Sequence, residues 1–138
     1  MTITKHAALL LLALVGLMGL LNAQEPATIK AKVPFDFIAN GKTLPAGECT
    51  LAVEVNGRSL LSISSGKQHA FAVPIEDKSP STPKETALVF HRYANRYFLV
   101  ALRREGGTGY QLPASRLERE LQAQNLPRQV FALLASTN

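Results

Sequence analysis

The feature that most restricts the fold is an alternation of apolar and polar side chains at a spacing of two. Ile29, Ala31, Val33, Phe35 and Phe37 alternate with Lys30, Lys32, Pro34 and Asp36, and Cys49, Leu51, Val53 and Val55 repeat the pattern. Successive side chains of an extended chain point to opposite faces, so each apolar set lines one face of a strand. Pro34 has no N–H to donate, which favours a sheet edge or a bulge there. Turn residues punctuate the runs. Asn40-Gly41 and Leu44-Pro45-Ala46-Gly47 reverse the chain, and Asn56-Gly57 is a two-residue hairpin signal because both positions accept positive φ. Arg58 to Ser64 and Gln68 to Ile75 read as the next two strands, joined at Ser65-Gly66-Lys67.

The second half continues the theme. Glu76 to Glu85, with Pro80 and Pro83, reads as a polar loop. Thr86 to Tyr93 and Tyr97 to Arg103 form a hairpin across Ala94-Asn95-Arg96, apolar at nearly every position and so central and buried on both faces. Arg104 to Gly109 is a glycine-rich loop. One helix is expected, capped by Ser115 with Glu118 completing a capping box, carrying Leu117 and Leu121 on one face, and stopped by Pro127. Val130 to Ala135 reads as a last strand, with a short helix as the other reading. Regularly spaced short strands imply a mainly all-β fold, a small antiparallel β-sandwich or barrel of about seven strands with one C-terminal helix.

Ahead of this domain, Ala7 to Leu21 is a run with neither charge nor polar side chain, preceded by Lys5 and followed by Asn22-Ala23-Gln24. This is the layout of a secretory signal cleaved after Ala23. Residues 1–23 are thus expected to be removed, leaving one exported domain over 24–138, periplasmic or secreted; an uncleaved N-terminal anchor is the alternative. The run falls short of the ~20 apolar residues of a membrane-spanning helix. Strands of about seven residues are likewise shorter than the ~9–11 of an outer-membrane barrel. Net charge is +5, with 15 basic and 10 acidic residues. From Thr86 onward every base is arginine, seven of them against three glutamates.

Five ordered blocks carry a resemblance. They are Val33-Pro34-Phe35-Asp36-Phe37, Gly41-Lys42-Thr43-Leu44-Pro45-Ala46-Gly47-Glu48, Leu88-Val89-Phe90-His91-Arg92-Tyr93, Tyr97-Phe98-Leu99, and Leu112-Pro113-Ala114-Ser115-Arg116 with Glu118-Arg119-Glu120. Together they resemble a family of small secreted proteins of Acidobacteria-type soil bacteria. The resemblance implies export and a β-rich domain, and it implies no activity. Cys49 departs from it, standing where the pattern usually has an aromatic residue.

Catalytic constellations are missing from the sequence. There is no Gly-x-Ser-x-Gly, and His69 and His91 are the only histidines beyond the signal. No His-x-His or His-x-x-x-His spacing suggests a metal site, and Gly106-Gly107-Thr108-Gly109 lacks the Lys-Ser/Thr of a phosphate loop. No cofactor is expected. His91 reads as a packed strand histidine. Cys49, on the apolar phase of its strand, reads as a small buried hydrophobe, with an intermolecular disulfide as the route to a dimer. Cys49, His91, Ser115 and Glu118 are thus candidate structural residues. Arg92, Tyr93, Arg96, Tyr97, Arg103, Arg104 and Tyr110 form the candidate binding surface, since arginine with tyrosine suits carboxylate, phosphate or sugar. Arg92 is expected to pair with Glu118 or Glu120 and so dock the helix. The expected role is a non-catalytic binding or structural module of the cell envelope, engaging an anionic glycan, a lipid headgroup or another envelope protein rather than nucleic acid. A carrier with an apolar interior pocket, and more remotely a minor hydrolase, are the alternatives.

Overall fold

The computed structural model describes residues 28–55, 58–78 and 83–137. The expected signal segment 1–23, the expected turn at residues 56–57 and residues 79–82 of the expected polar loop lie outside the described residues. The strands are β1 (Thr28–Val33), β2 (Phe37–Ala39), β3 (Lys42–Leu44), β4 (Gly47–Val55), β5 (Ser59–Ser65), β6 (Gln68–Ala72), β7 (Ile75–Asp77), β8 (Ala87–Tyr93), β9 (Arg96–Arg103), β10 (Gly109–Gln111), β11 (Arg128–Leu134) and β12 (Ser136–Thr137). The helix α1 spans Arg116–Ala123. The fold is all-β with one short helix. One sheet has the order β12-β1-β4-β5-β6 and the other β11-β8-β9-β10-β7, with the β2–β3 hairpin joined to β9. Apart from the Ile38↔Phe98 contact of β2 with β9, which is parallel, strand pairing is antiparallel.

The expected continuous strand from Ile29 to Phe37 is broken after Val33. Pro34 cannot extend the ladder, and Asp36 leaves it to accept the Ala46 N–H through Oδ1 at 2.8 Å, bracing the second turn. Asn40 (φ 48) and Gly41 (φ 80) form the tight β2–β3 turn, and Asn40 Nδ2 donates to the Phe71 carbonyl at 2.7 Å. That bond ties β2–β3 to the edge of the first sheet and curls the structure toward a half-barrel. The count exceeds the expected seven because β2, β3, β7, β10 and β12 are two or three residues long. Such pieces are defined by a distant partner and carry no periodic signal of their own. Glu76 and Asp77, expected in a loop, pair with Tyr110 and Gly109. Residues 130–134 are strand, which settles the strand-or-helix question there.

Phe37, Leu44, Leu51, Leu61, Ile63, Leu88, Phe90 and Leu102 fill the space between the sheets. A register shift between Val89 and Phe90 moves the β9 partner from Ala101 to Leu99. Val100 is the extra residue of this bulge, and its carbonyl accepts the Leu112 N–H at 2.9 Å. The bulge lets Leu99 and Leu102, three apart, both face the core, which strict alternation forbids. Phe90 is the hub. Its ring meets Phe35 edge-on at 5.1 Å and Phe37 at 5.4 Å. Phe90→Ala is expected to cost about 3–5 kcal/mol, read as a lowered denaturant midpoint at unchanged m-value.

Candidate functional site

β8 divides its side chains between two environments. Leu88 and Phe90 face the core, while Val89, His91 and Tyr93 face the opposite side, where α1 lies over His91 and Tyr93. Ser115 begins the helix, its Oγ accepting the Glu118 N–H at 3.2 Å. The Glu118 side chain turns inward and is only 3% exposed. Its Oε1 lies 3.1 Å from His91 Nδ1 and accepts from the Tyr93 hydroxyl at 3.3 Å. Gln122 Nε2 donates to the same hydroxyl at 3.1 Å. The face that α1 buries is therefore polar at its centre, with Leu117 and Leu121 half-buried beside it.

The expected docking pair is corrected by this geometry. Glu118 meets His91 and Tyr93 rather than Arg92. Residues 91 and 93 share a face, and Arg92, one step away, must point to the other. Glu120 pairs with Arg116 at 3.1 Å on an exposed surface, an arrangement worth well under about 1 kcal/mol. Glu118→Ala is expected to lower stability by about 1–3 kcal/mol, because it strands buried partners, whereas Arg116→Ala should shift it by no more than about 0.5 kcal/mol. Thermal melts of the two variants check both.

The seven candidate surface residues do not form one patch. Tyr93 (1% exposed) and Tyr110 (5%) are buried and cannot present their rings. Tyr97 stacks on Phe35 at 3.7 Å and leans toward Phe131 at 5.9 Å. Arg103, Arg104 and Tyr110 lie at the end of β9 opposite Arg96, roughly 20 Å or more away at ~3.3 Å per residue. There Arg103 and Tyr110 help line an open cleft of about 440 Å³ with Asp77 and Gln111.

The other end of the sheet holds a more ordered cationic group. Arg92 Nε donates to the Ala94 carbonyl at 2.7 Å, and its guanidinium lies 5.4 Å from the centre of the Tyr97 ring. The arginine is thus held at Nε and against a ring, leaving its terminal nitrogens to donate outward. Ala94 takes φ 52, a left-handed conformation costing a residue with a Cβ about 1–2 kcal/mol. Arg92, Ala94, Leu126, Pro127 and Gln129 line a groove of about 310 Å³. On the opposite face, Tyr93 pairs with Arg96 of β9 and with Arg128 of β11. Directly paired residues share a face, so Arg96 and Arg128 flank Tyr93 with Cα atoms about 10 Å apart, two strand spacings. Among the described residues, the carboxylates paired with bases are Glu118 and Glu120, bound to His91 and Arg116. Arg92, Arg96 and Arg128 have no carboxylate within 4.0 Å there. Sequence inspection missed Arg128. Nothing local marks it, since only the β11–β8 register brings it beside Tyr93.

Other candidate chemistry is sparse. Ser64 Oγ lies 2.9 Å from His69 Nδ1 on an exposed strand surface. Among the described residues, no three His, Cys, Asp or Glu side chains gather as a metal set, and no helix is long and apolar enough to cross a membrane. Leu51, Leu61, Ile63, Leu88 and Phe90 pack into the space between the sheets. Cys49 is fully buried on β4, so a disulfide to a second chain would require that strand to open. Desolvation pushes its thiol from an ordinary 9.0 up to about 12. The unfolded thiol ionises first, so the stability it contributes is complete below about pH 9 and declines as pH rises toward 12, by up to about 1.4 kcal/mol per unit. Wild type is expected to lose denaturant stability faster than Cys49→Ala between about pH 9 and 11. Equal slopes would contradict this.

Comparison with protein-family models, with curated proteins and with solved structures returned no match.

Proposed function

We propose that this domain is a non-catalytic binding module of the cell envelope, exported after removal of residues 1–23, that holds anionic groups at the arginine-bearing end of its second sheet. The apolar run Ala7–Leu21 and the resemblance to small secreted proteins support export. One observation carries the binding role: Arg92 is pre-positioned by Ala94 and Tyr97 and has no carboxylate partner among the described residues. A guanidinium already held in place loses little freedom when it donates to a carboxylate or phosphate, and its planar fork matches either. Arg96 and Arg128 add charge on the opposite face of the same end. A strained Ala94 beside the groove fits a site that stores backbone energy for binding.

The test is retention on two probes, vesicles containing phosphatidylglycerol and an immobilised acidic polysaccharide, with neutral phosphatidylcholine vesicles as reference. The combined variant Arg92→Ala, Arg96→Ala, Arg128→Ala is expected to lose binding at least tenfold, and Arg103→Ala with Arg104→Ala much less. Wild-type binding should weaken as salt shortens the screening length from about 10 Å at 0.1 M. Equal loss in both variants would reduce the role to general basicity, and no binding to either probe would overturn it. Intact mass of the exported chain checks the processing, with Gln24 expected as the first residue.

A further inference from the structure

β7 ends the second sheet on the side away from β11, and β10 lies between β7 and β9. Gly109 of β10 pairs with Asp77 of β7. On its other side, the register Tyr110↔Leu102 and Gln111↔Ala101 sets Gly109 opposite Arg103. Directly paired residues share a face. Asp77, Gly109 and Arg103 therefore stand in one row, on the face opposite the buried Tyr110 and Leu102. The middle of the row has no side chain, and the next row sets Ala101 beside Gln111. Gly109 and Ala101 thus form the floor of a depression within the open cleft of about 440 Å³, a volume in the range of small-molecule sites. Pro83 adds a wall, and its carbonyl is held by the Gly106 N–H at 3.2 Å.

The two charges of this row are opposite, and they do not meet. Asp77 and Arg103 are two strand spacings apart, about 10 Å between Cα atoms, and no ion pair within 4.0 Å joins them. Gln111 Nε2 donates to Asp77 Oδ2 at 3.4 Å. A carboxylate has about four acceptor sites, so this bond turns Asp77 without exhausting it. We propose that the cleft binds a small zwitterion of dipeptide size, its ammonium group on Asp77 and its carboxylate on Arg103. A neutral ligand leaves both charges unmatched, and a simple anion on Arg103 has the Asp77 carboxylate as a repelling neighbour. Subtracting a charge-assisted contact of about 2.8 Å at each end from ~10 Å leaves about 4 Å between the ligand's charges. Free glycine holds its charges closer than this. A dipeptide sets a flat peptide unit between them, and the bare floor of Gly109 and Ala101 accepts it. This cleft lies at the end of β9 far from Arg92 and reads two charges instead of one.

The experiment is a titration of the exported chain with glycylglycine, read from the backbone amide shifts of Gly107, Gly109 and Gln111. It is carried to roughly 20 mM, because exposed charge contacts support affinities near the millimolar range. N-acetylglycylglycine lacks the ammonium group and glycylglycinamide lacks the carboxylate; each is expected to bind at least tenfold more weakly than glycylglycine. Glucose, a neutral probe of similar size, is expected to leave these amides unmoved. Arg103→Gln should erase the preference for glycylglycine over glycylglycinamide, and Asp77→Asn the preference over N-acetylglycylglycine. A Cβ at Gly109 would stand 3.4 Å from the Leu102 carbonyl oxygen and 3.5 Å from Asp77 Cβ, which the strand accommodates. Gly109→Val should therefore fill the floor and abolish binding at an unlowered melting temperature, since valine suits a strand. No shift at these amides, equal affinity for the three peptides, glucose bound as tightly as glycylglycine, or binding that persists in Gly109→Val would each overturn the proposal. None of these substitutions touches Arg92, Arg96 or Arg128, so failure here and failure of the anion-binding reading are distinguishable.

Discussion

The structure depends on burying β8 from both sides. Ala87, Leu88, Val89 and Phe90 are all buried, so one sheet face cannot be left to water. The first sheet covers one side, with Leu51, Leu61 and Ile63 packed toward Leu88 and Phe90. The other side is covered where α1 crosses it, over His91 and Tyr93. Burial of a Leu or Phe side chain stabilises by about 1.5–3 kcal/mol, so the apolar side sets the size of the core. The outer side works differently, because its centre is a carboxylate.

Burying Glu118 is unfavourable unless its oxygens find donors. Its Oε1 meets His91 and Tyr93 of β8, and Tyr93 is then held from its other side by Gln122. Four side chains from two elements, His91, Tyr93, Glu118 and Gln122, satisfy one another. Among the described residues that are not exposed, no buried side-chain N or O atom lacks a partner. An apolar helix face could slide along the sheet at little cost, whereas these bonds admit one position of α1. That position has consequences further along the chain. It fixes where the helix ends, hence where Leu126-Pro127 turns, hence the register in which β11 joins β8. Arg128 arrives beside Tyr93, and the groove under Arg92 acquires its Leu126-Pro127 wall, through this sequence of constraints.

Much of the fold could be read before any coordinate. The alternating runs at Ile29–Val33 and Cys49–Val55 became strands because period-two burial is a local pattern, and the continuously apolar Thr86–Tyr93 became a strand covered on both faces. Ser115 and Glu118 marked the helix start because capping is a short-range interaction. The site was less legible. Of the seven expected surface residues, Tyr93 and Tyr110 proved to be buried, and Arg103 and Arg104 fell at the end of β9 far from Arg92. A cluster along the sequence spreads along a strand at ~3.3 Å per residue, so nearness in sequence says little about a patch. Arg128 shows the converse, lying 32 positions beyond Arg96 yet two strands away in space.

By itself, the sequence determined the β class, the helix start, the turns at Asn40-Gly41 and Ala94-Asn95, the buried state of Cys49 and the arginine excess of the second half. Each follows from residue type and spacings of a few positions, where local sterics, capping and alternation decide. The tertiary structure alone decided which face of β8 meets the helix, that His91 and Tyr93 rather than Arg92 take Glu118, that Val100 bulges, and that Arg128 joins the arginine-bearing end. These depend on register and strand order, which arise when the whole chain satisfies burial and hydrogen bonding together, and no short window of residues contains them.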